Sequence, residues 1–146
     1  MPRTISDLRV PDRSPAELWP VLTSWLGRNS FTILTSQSDG RQQVISHWDG
    51  ALLIRPRPGT CVALREMTGG GTIVIEAGTS QTGGATTVHL EGYVTGRGPG
   101  WKGKEYDLIP KNLAVAGILR SLIVRGKGEP PLRLRPTDLA TVDYAP

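Results

Sequence analysis

The sequence predicts an α+β fold in which a six- to seven-stranded antiparallel sheet wraps around a long C-terminal helix. Three observations support this prediction. Glycine and proline (18 and 12 of 146 residues) make up about a fifth of the chain, which is typical of short strands joined by tight turns. Apolar residues alternate with a period of two between residues 31 and 95. Residues 110–125 instead carry their apolar residues at helical spacing.

A short first strand over residues 4–10 is followed by a helix with a well-defined start. Ser14 can accept a hydrogen bond from a backbone N–H of the first turn, and Glu17 can reach back to the cap. Pro15 occupies the first helical position, where its missing N–H costs nothing. The sequence therefore predicts a capping box at this point.

This first helix is predicted to run from Pro15 to about Leu26. Pro20 lies within it and is expected to kink or split it, because proline removes one main-chain hydrogen bond. The segment from Gly27 to Asn29 is a helix stop signal.

Six strands follow in a predicted antiparallel meander. Asp-Gly at 39–40 and 49–50 and the glycine-rich segments at 69–71 and 83–84 are typical of tight turns. Turns this short force neighbouring strands to be antiparallel, since parallel strands need long crossovers. The predicted strands are Phe31–Thr35, Gln42–Trp48, Ala51–Arg55, Thr60–Glu66, Thr72–Ala77 and Ala85–Thr95.

Alternation assigns the strand side chains to two faces of this sheet. We expect one apolar face covered by the last helix, formed by Val62, Leu64, Ile73, Ile75, Val88 and Leu90. We expect the opposite face to be polar and solvated, formed by Arg65, Glu76, His89, Glu91 and Tyr93.

The last helix is predicted over residues 110–125, and it carries two stripes. The apolar stripe, which should face the sheet, comprises Val115, Ile118, Leu119 and Leu122. The second stripe has small side chains, which either leave volume for a pocket or allow close packing; it comprises Ala114, Gly117 and Ser121. A single domain over residues 1–126 is expected, followed by a proline-containing tail over residues 127–146.

Composition limits the class of protein. Cys61 is the only cysteine and lies in an apolar run, so we expect a small buried hydrophobe and neither an intrachain disulfide nor a cysteine metal cluster. No apolar run approaches the roughly 20 residues that a membrane span needs. The N-terminus also lacks the apolar segment of a signal peptide. A soluble cytoplasmic protein is therefore expected.

Positive charge is concentrated towards the C-terminus. The formal net charge is +4, but residues 97–135 alone carry nine Lys and Arg against three Asp and Glu, an excess of six. Such a region can meet phosphates, an anionic membrane or an acidic partner, or it is simply a solvated face. One Phe and three Tyr offer little for base stacking, so nucleic-acid binding is not expected.

The order of strand, helix, meander and last helix resembles the START-like (SRPBCC) helix-grip superfamily, which includes polyketide cyclases, aromatic-ligand binders and lipid-transfer domains. The resemblance rests on VPDRSPAELWPVLT (Val10–Thr23) and on GILRSLIVRG (Gly117–Gly126). The family's second short helix has little room between Ser24 and Ser30. The resemblance implies an apolar pocket between sheet and last helix and no shared catalytic residues.

The expected ligand-binding residues line that implied pocket: Val62, Leu64, Ile73, Ile75, Val88, Leu90, Trp101, Ala114, Gly117 and Ile118. Trp101 would lie with Lys102 and Lys104 in a loop that either gates the pocket mouth or is a plain surface loop. The segment 98–104 has the spacing of a phosphate-binding loop, but Glu105 replaces the Ser or Thr that holds magnesium. Nucleotide binding is therefore not expected.

His89, Glu91 and Tyr93 occupy alternate positions of one strand and form the candidate catalytic set, because such a row can transfer protons. An aldol-type cyclisation or dehydration needs a proton donor and acceptor near a carbonyl. The alternative is a polar, solvated outer face. His47 and His89 are the only histidines and do not form a metal-ligand pattern, so no metal or other cofactor is expected.

Three functions remain open at this point. The first is an intracellular binding protein for a hydrophobic or aromatic small molecule, lipid-like or polyketide-like, in the pocket under the last helix. The second is an enzyme of the polyketide cyclase or dehydratase kind. The third is a partner-binding domain with a basic face. The direction in which His89 and Glu91 project discriminates between them, and the oligomeric state is left open.

Overall fold

A computed structural model describes residues 2–38, 41–44, 47–49, 52–54, 60–67, 71–95, 108–125 and 130–143. The fold is α+β, with a seven-stranded antiparallel sheet, two α-helices and one short 3-10 helix (Pro136–Asp138) among the described residues. The helices are α1 (Pro15–Arg28) and α2 (Leu108–Arg120). The strands are β1 (Pro2–Pro11), β2 (Thr32–Ser38), β3 (Arg41–Val44), β4 (His47–Asp49), β5 (Leu52–Ile54), β6 (Thr60–Glu66), β7 (Thr72–Thr82), β8 (Ala85–Thr95), β9 (Ile123–Val124), β10 (Leu132–Arg133) and β11 (Ala140–Asp143).

The strand order in the main sheet is β11-β1-β8-β7-β6-β2-β3. Strands β6, β7 and β8 are consecutive neighbours, and β7 meets β8 through a two-residue turn in which Gly83 has a φ of 62°. The predicted bounds of β6 and β8 are confirmed. The uninterrupted six-stranded meander is wrong, because β4 and β5 pair with each other in a separate two-stranded sheet and β2 pairs with β6.

The capping box at the start of α1 is confirmed. The hydroxyl of Ser14 accepts a hydrogen bond from the Glu17 N–H at 3.2 Å, and the Glu17 carboxylate accepts one from the Ser14 N–H at 3.3 Å. The expected split at Pro20 is wrong, because one helix runs through it to Arg28. Pro20 removes a single hydrogen bond, and the helix is held on both sides of it by buried side chains, those of Leu18, Trp19, Leu22, Trp25 and Leu26.

The long C-terminal helix is not found: α2 ends at Arg120. The Ser121 hydroxyl donates to the carbonyl of Ile118 at 2.6 Å and accepts from the indole N–H of Trp25 at 2.9 Å, which fixes the end of α2 against α1. The β-branched pair Ile123-Val124 then forms strand β9 and pairs with β10.

The described part of the predicted tail belongs to the fold. Strand β11 pairs with β1 at the edge of the main sheet, and Leu134 is buried in the main core. None of the helices in the described ranges is long and apolar enough to cross a membrane.

The main core lies between one face of the sheet and both helices. Ile73, Ile75, Val88 and Leu90 are buried in it, so their predicted placement on the apolar face is confirmed. Cys61 is also buried there, and burial raises the pKa of its thiol to about 12. At neutral pH this thiol is protonated, as expected of a small buried hydrophobe.

Gly92 of β8 marks the closest approach of α2 to the sheet. A Cβ atom at this position would lie 2.5 Å from Cγ1 of Val115 and 3.1 Å from Cδ1 of Ile75. The backbone of β8 and the side chains of α2 therefore meet at a distance that only glycine permits.

Gly92→Ala is expected to lower the free energy of unfolding by about 1–3 kcal/mol, because the added methyl group overpacks the core. Gly117→Ala is the matched control, since nothing lies within 4 Å of its added Cβ. Alanine in this helical position should raise the free energy of unfolding by up to about 1 kcal/mol. Urea denaturation measures both, and equal effects of the two substitutions would contradict the close approach.

Candidate functional site

The strand register brings ionisable side chains of three strands together on the sheet face that points away from the helices. Asp7 of β1 lies opposite His89 of β8, and Glu76 of β7 lies opposite Glu91 of β8. We call this group, together with Arg3 of β1, the charged row. It contains two of the three predicted catalytic residues.

His89 joins two carboxylates. Its Nδ1 lies 2.7 Å from Oδ1 of Asp7, and its Nε2 lies 3.0 Å from Oε1 of Glu91. The side chains of Asp7 and His89 are 61% and 42% exposed, whereas that of Glu91 is only 8% exposed. The imidazole therefore links a solvent-accessible carboxylate to a buried one.

Two opposing effects set the pKa of His89. Partial burial lowers it, but the hydrogen bonds to Glu91 and Asp7 and the charges of these carboxylates outweigh burial and raise the pKa above 6.5. As an imidazolium, His89 donates both ring N–H groups, one to each carboxylate.

Arg3 holds the buried end of the charged row. Its Nη1 donates to Oε2 of Glu91 at 2.8 Å and to Oε2 of Glu76 at 2.9 Å. Its guanidinium lies 4.1 Å from the ring centroid of Tyr93, within cation–π range. Burial lowers the pKa of Arg3, but Glu91, Tyr93 and Glu76 raise it by a larger amount, so the group stays charged. Arg3 thus fixes the orientation of the Glu91 carboxylate and connects the predicted row to Tyr93.

The expectation of a solvated outer face is wrong for much of this row, because Glu76, Glu91 and Tyr93 are buried. Burial of the two carboxylates is tolerated because Arg3 bonds to both of them and His89 bonds to Glu91. His89 and Asp7 remain accessible at one end. The row thus has a buried end that is held in place and an open end that a solute can reach.

A small apolar cluster lies beside the charged row on the same face, formed by Leu34, Val62, Leu64, Val74 and Tyr93. Val62 pairs with Glu76, and Leu64 pairs with Val74. The predicted placement of Val62 and Leu64 beside Ile73 and Ile75 is therefore wrong. The run Cys61–Leu64 is apolar at every position, so alternation carries no information and only strand pairing decides the face.

The residues of α2 that were predicted to line a pocket do not all face the sheet. Ala114 and Gly117 are exposed, so they point away from the sheet, whereas Ile118 is buried in the main core. The loop with Trp101, Lys102 and Lys104, and the side chain of His47, lie outside the described residues. No group of three or more potential metal ligands occurs among the residues that are described.

Sequence reasoning missed Arg3 and Asp7 as site residues and placed Glu76 only on a solvated face. Arg3 and Asp7 are an even number of residues apart in the first strand, so their side chains lie on the same face. Their relation to His89 and Glu91 depends on the pairing of β1 with β8, which are more than 70 residues apart along the chain. No local pattern indicates that pairing.

His89→Gln is expected to reduce the pH dependence of stability as pH rises above about 6.5. Because the folded-state pKa is raised, the stabilisation by protonated His89 is fully present below about pH 6.5 and is lost as pH rises through the folded-state value. The effect should not exceed about 1 kcal/mol, since the ring is partly exposed.

Urea denaturation across this pH range measures the effect. Asp7→Asn should retain part of the pH dependence, because Glu91 still accepts from the ring. An identical pH profile for the wild type and His89→Gln would contradict the assignment.

Arg3→Met is expected to lower the free energy of unfolding by about 3 kcal/mol, because it leaves Glu76 and Glu91 facing each other in a buried position. Adding Glu76→Gln to this variant should restore part of the loss. Thermal and urea denaturation of the single and double variants test this coupling, and additive losses would show that Arg3 does not compensate the two carboxylates.

The comparisons with known proteins give no relative. No protein-family model matches the sequence, and neither a curated protein nor a solved structure matches it.

Proposed function

We propose that this protein is an acid–base enzyme of the polyketide cyclase or dehydratase kind, acting on a small molecule that carries a carbonyl group. One observation supports the proposal above all. The half-exposed His89 is bonded at Nε2 to the buried carboxylate of Glu91, which Arg3 holds in turn. A proton donor oriented by a second group, which is oriented by a third, is an arrangement typical of acid–base sites.

The proposed roles follow from exposure and charge. His89 has a raised pKa, so its protonated form persists towards neutral pH and serves as the general acid. Asp7 is exposed and serves as the base. Glu91 orients the imidazole, and Arg3 positions Glu91 without touching the substrate.

For a β-hydroxy carbonyl compound, the proposed elimination of water needs no cofactor. Asp7 removes a proton from the α-carbon, and His89 gives its Nδ1 proton to the departing β-hydroxyl. The C–O bond breaks, a C=C bond forms and water leaves. The proton on Asp7 then returns to Nδ1 of His89, which lies 2.7 Å away, and this restores the starting state.

The test is exchange of the α-proton with solvent deuterium in a panel of β-hydroxy thioesters and aromatic β-hydroxy ketones, followed by mass spectrometry. We expect the wild type to catalyse the exchange and water loss. His89→Gln and Asp7→Asn should each lower the rate by about 10²–10⁴-fold. Arg28→Gln is the matched control, because it removes an exposed charge at the end of α1, on the other side of the sheet. Equal rates in the wild type and His89→Gln would overturn the proposal.

A second candidate function is the binding of an apolar small molecule without catalysis. Its apolar contacts would come from the cluster around Val74 and Tyr93, which is buried beside the charged row. The close approach at Gly92 argues for a ligand on the charged-row face instead of under α2.

The same panel separates the two candidates. A ligand that raises the melting temperature of both the wild type and His89→Gln, with no exchange in either, would identify a binding protein.

A further inference from the structure

Between Leu113 and Gly117, the described part of the outer face of α2 carries no polar side chain. Its inner side chains are buried in the main core: Val115, Ile118, Leu119 and Leu122. Its outer positions include Leu113, Ala114 and Gly117, all exposed, and the Leu113 side chain is 69% exposed. Surface helices normally carry charged or polar residues on the side away from the core. Among the α2 positions whose side chains are described, the exposed face thus carries Leu113, Ala114 and Gly117, with Arg120 at its end.

Basic residues border this apolar face at the C-terminal end of α2. Arg120 ends the helix, and Arg125 follows β9; both are exposed. Across the β9–β10 pair, Arg133 lies opposite Ile123, which is itself 41% exposed. No ion pair to another described side chain is found for any of these three arginines.

We propose that this surface, formed by Leu113, Ala114, Gly117, Arg120, Ile123, Arg125 and Arg133, docks onto an anionic lipid membrane. Exposed aliphatic side chains gain free energy when they enter the boundary between headgroups and acyl chains. Arginines beside them are attracted to anionic headgroups. The combination of Leu113 and Ile123 with three arginines, one of which lies opposite Ile123, matches both requirements.

Other occupants fit this surface less well. A symmetric dimer would bring the same arginines of two copies towards one another, because an isologous interface uses the same patch twice. A nucleic acid would use the arginines but would gain nothing from Leu113 and Ile123, and the surface contains no aromatic side chain for base stacking. Charge and apolarity together favour the membrane.

The experiment is co-sedimentation of the full chain with vesicles of phosphatidylcholine alone and of phosphatidylcholine mixed equally with phosphatidylglycerol. We expect binding to the mixed vesicles only, and weaker binding as salt rises. Arg125→Gln combined with Arg133→Gln should weaken binding by about fivefold per arginine. Leu113→Ser should weaken it by about tenfold, because the aliphatic chain no longer inserts.

Matched controls keep the test specific. Arg9→Gln combined with Arg28→Gln removes the same number of exposed arginines elsewhere on the protein. Val142→Ser removes an exposed apolar side chain of β11. Both controls should bind the mixed vesicles as the wild type does, and circular dichroism should show all variants folded, since every substituted side chain is exposed.

Four outcomes would overturn the proposal. These are equal binding to both kinds of vesicle, equal losses in the control and test variants, unchanged binding of Leu113→Ser, and a lipid-free dimer that Leu113→Ser dissociates. The last outcome would assign the surface to a second copy. A fifth outcome, tight binding of an RNA oligonucleotide with no vesicle binding, would assign the surface to nucleic acid.

Discussion

The antiparallel pairing of β1 with β8 is the constraint on which the rest of this structure depends. It joins eight residue pairs, from Thr4 opposite Gly92 to Pro11 opposite Ala85. This register places Leu8 and Val10 in the main core and Asp7 beside His89 on the opposite face. It also leaves the second edge of β1 free for β11. A slip of one residue would exchange the two faces of β1 and remove both the core contacts and the charged row.

The sheet is buried on both faces over part of its area. The two faces are stabilised by different interactions. The helix-facing side is apolar, and it is packed so closely that Gly92 has no room for a side chain beside Val115. The other side buries two carboxylates next to an apolar cluster. That burial is stable only with a compensating charge, which Arg3 supplies through bonds to Glu76 and Glu91. The carboxylate of Glu91, which is costly to bury, is thereby held in place and orients the ring of His89.

The two proposed sites lie on opposite sides of the sheet. The charged row projects away from the helices, whereas the apolar surface belongs to the outer side of α2. A molecule docked on a membrane through Leu113 and Ile123 would therefore still present Asp7 and His89 to solvent. The two proposals rest on separate residues, and each can fail without the other.

The sequence by itself determined what local patterns encode: the capping box at Ser14 and Glu17, the bounds of β6 and β8, the buried thiol of Cys61, and the common row of His89, Glu91 and Tyr93. These features depend on residues within a few positions of one another. Only the tertiary structure decided the face of Val62 and Leu64, the early end of α2, and the partners Arg3 and Asp7. An apolar run without alternation does not encode its own face, and the end of α2 depends on Trp25 of another helix. The charged row depends on strands that are distant in sequence, because pairing register follows from packing of the whole sheet.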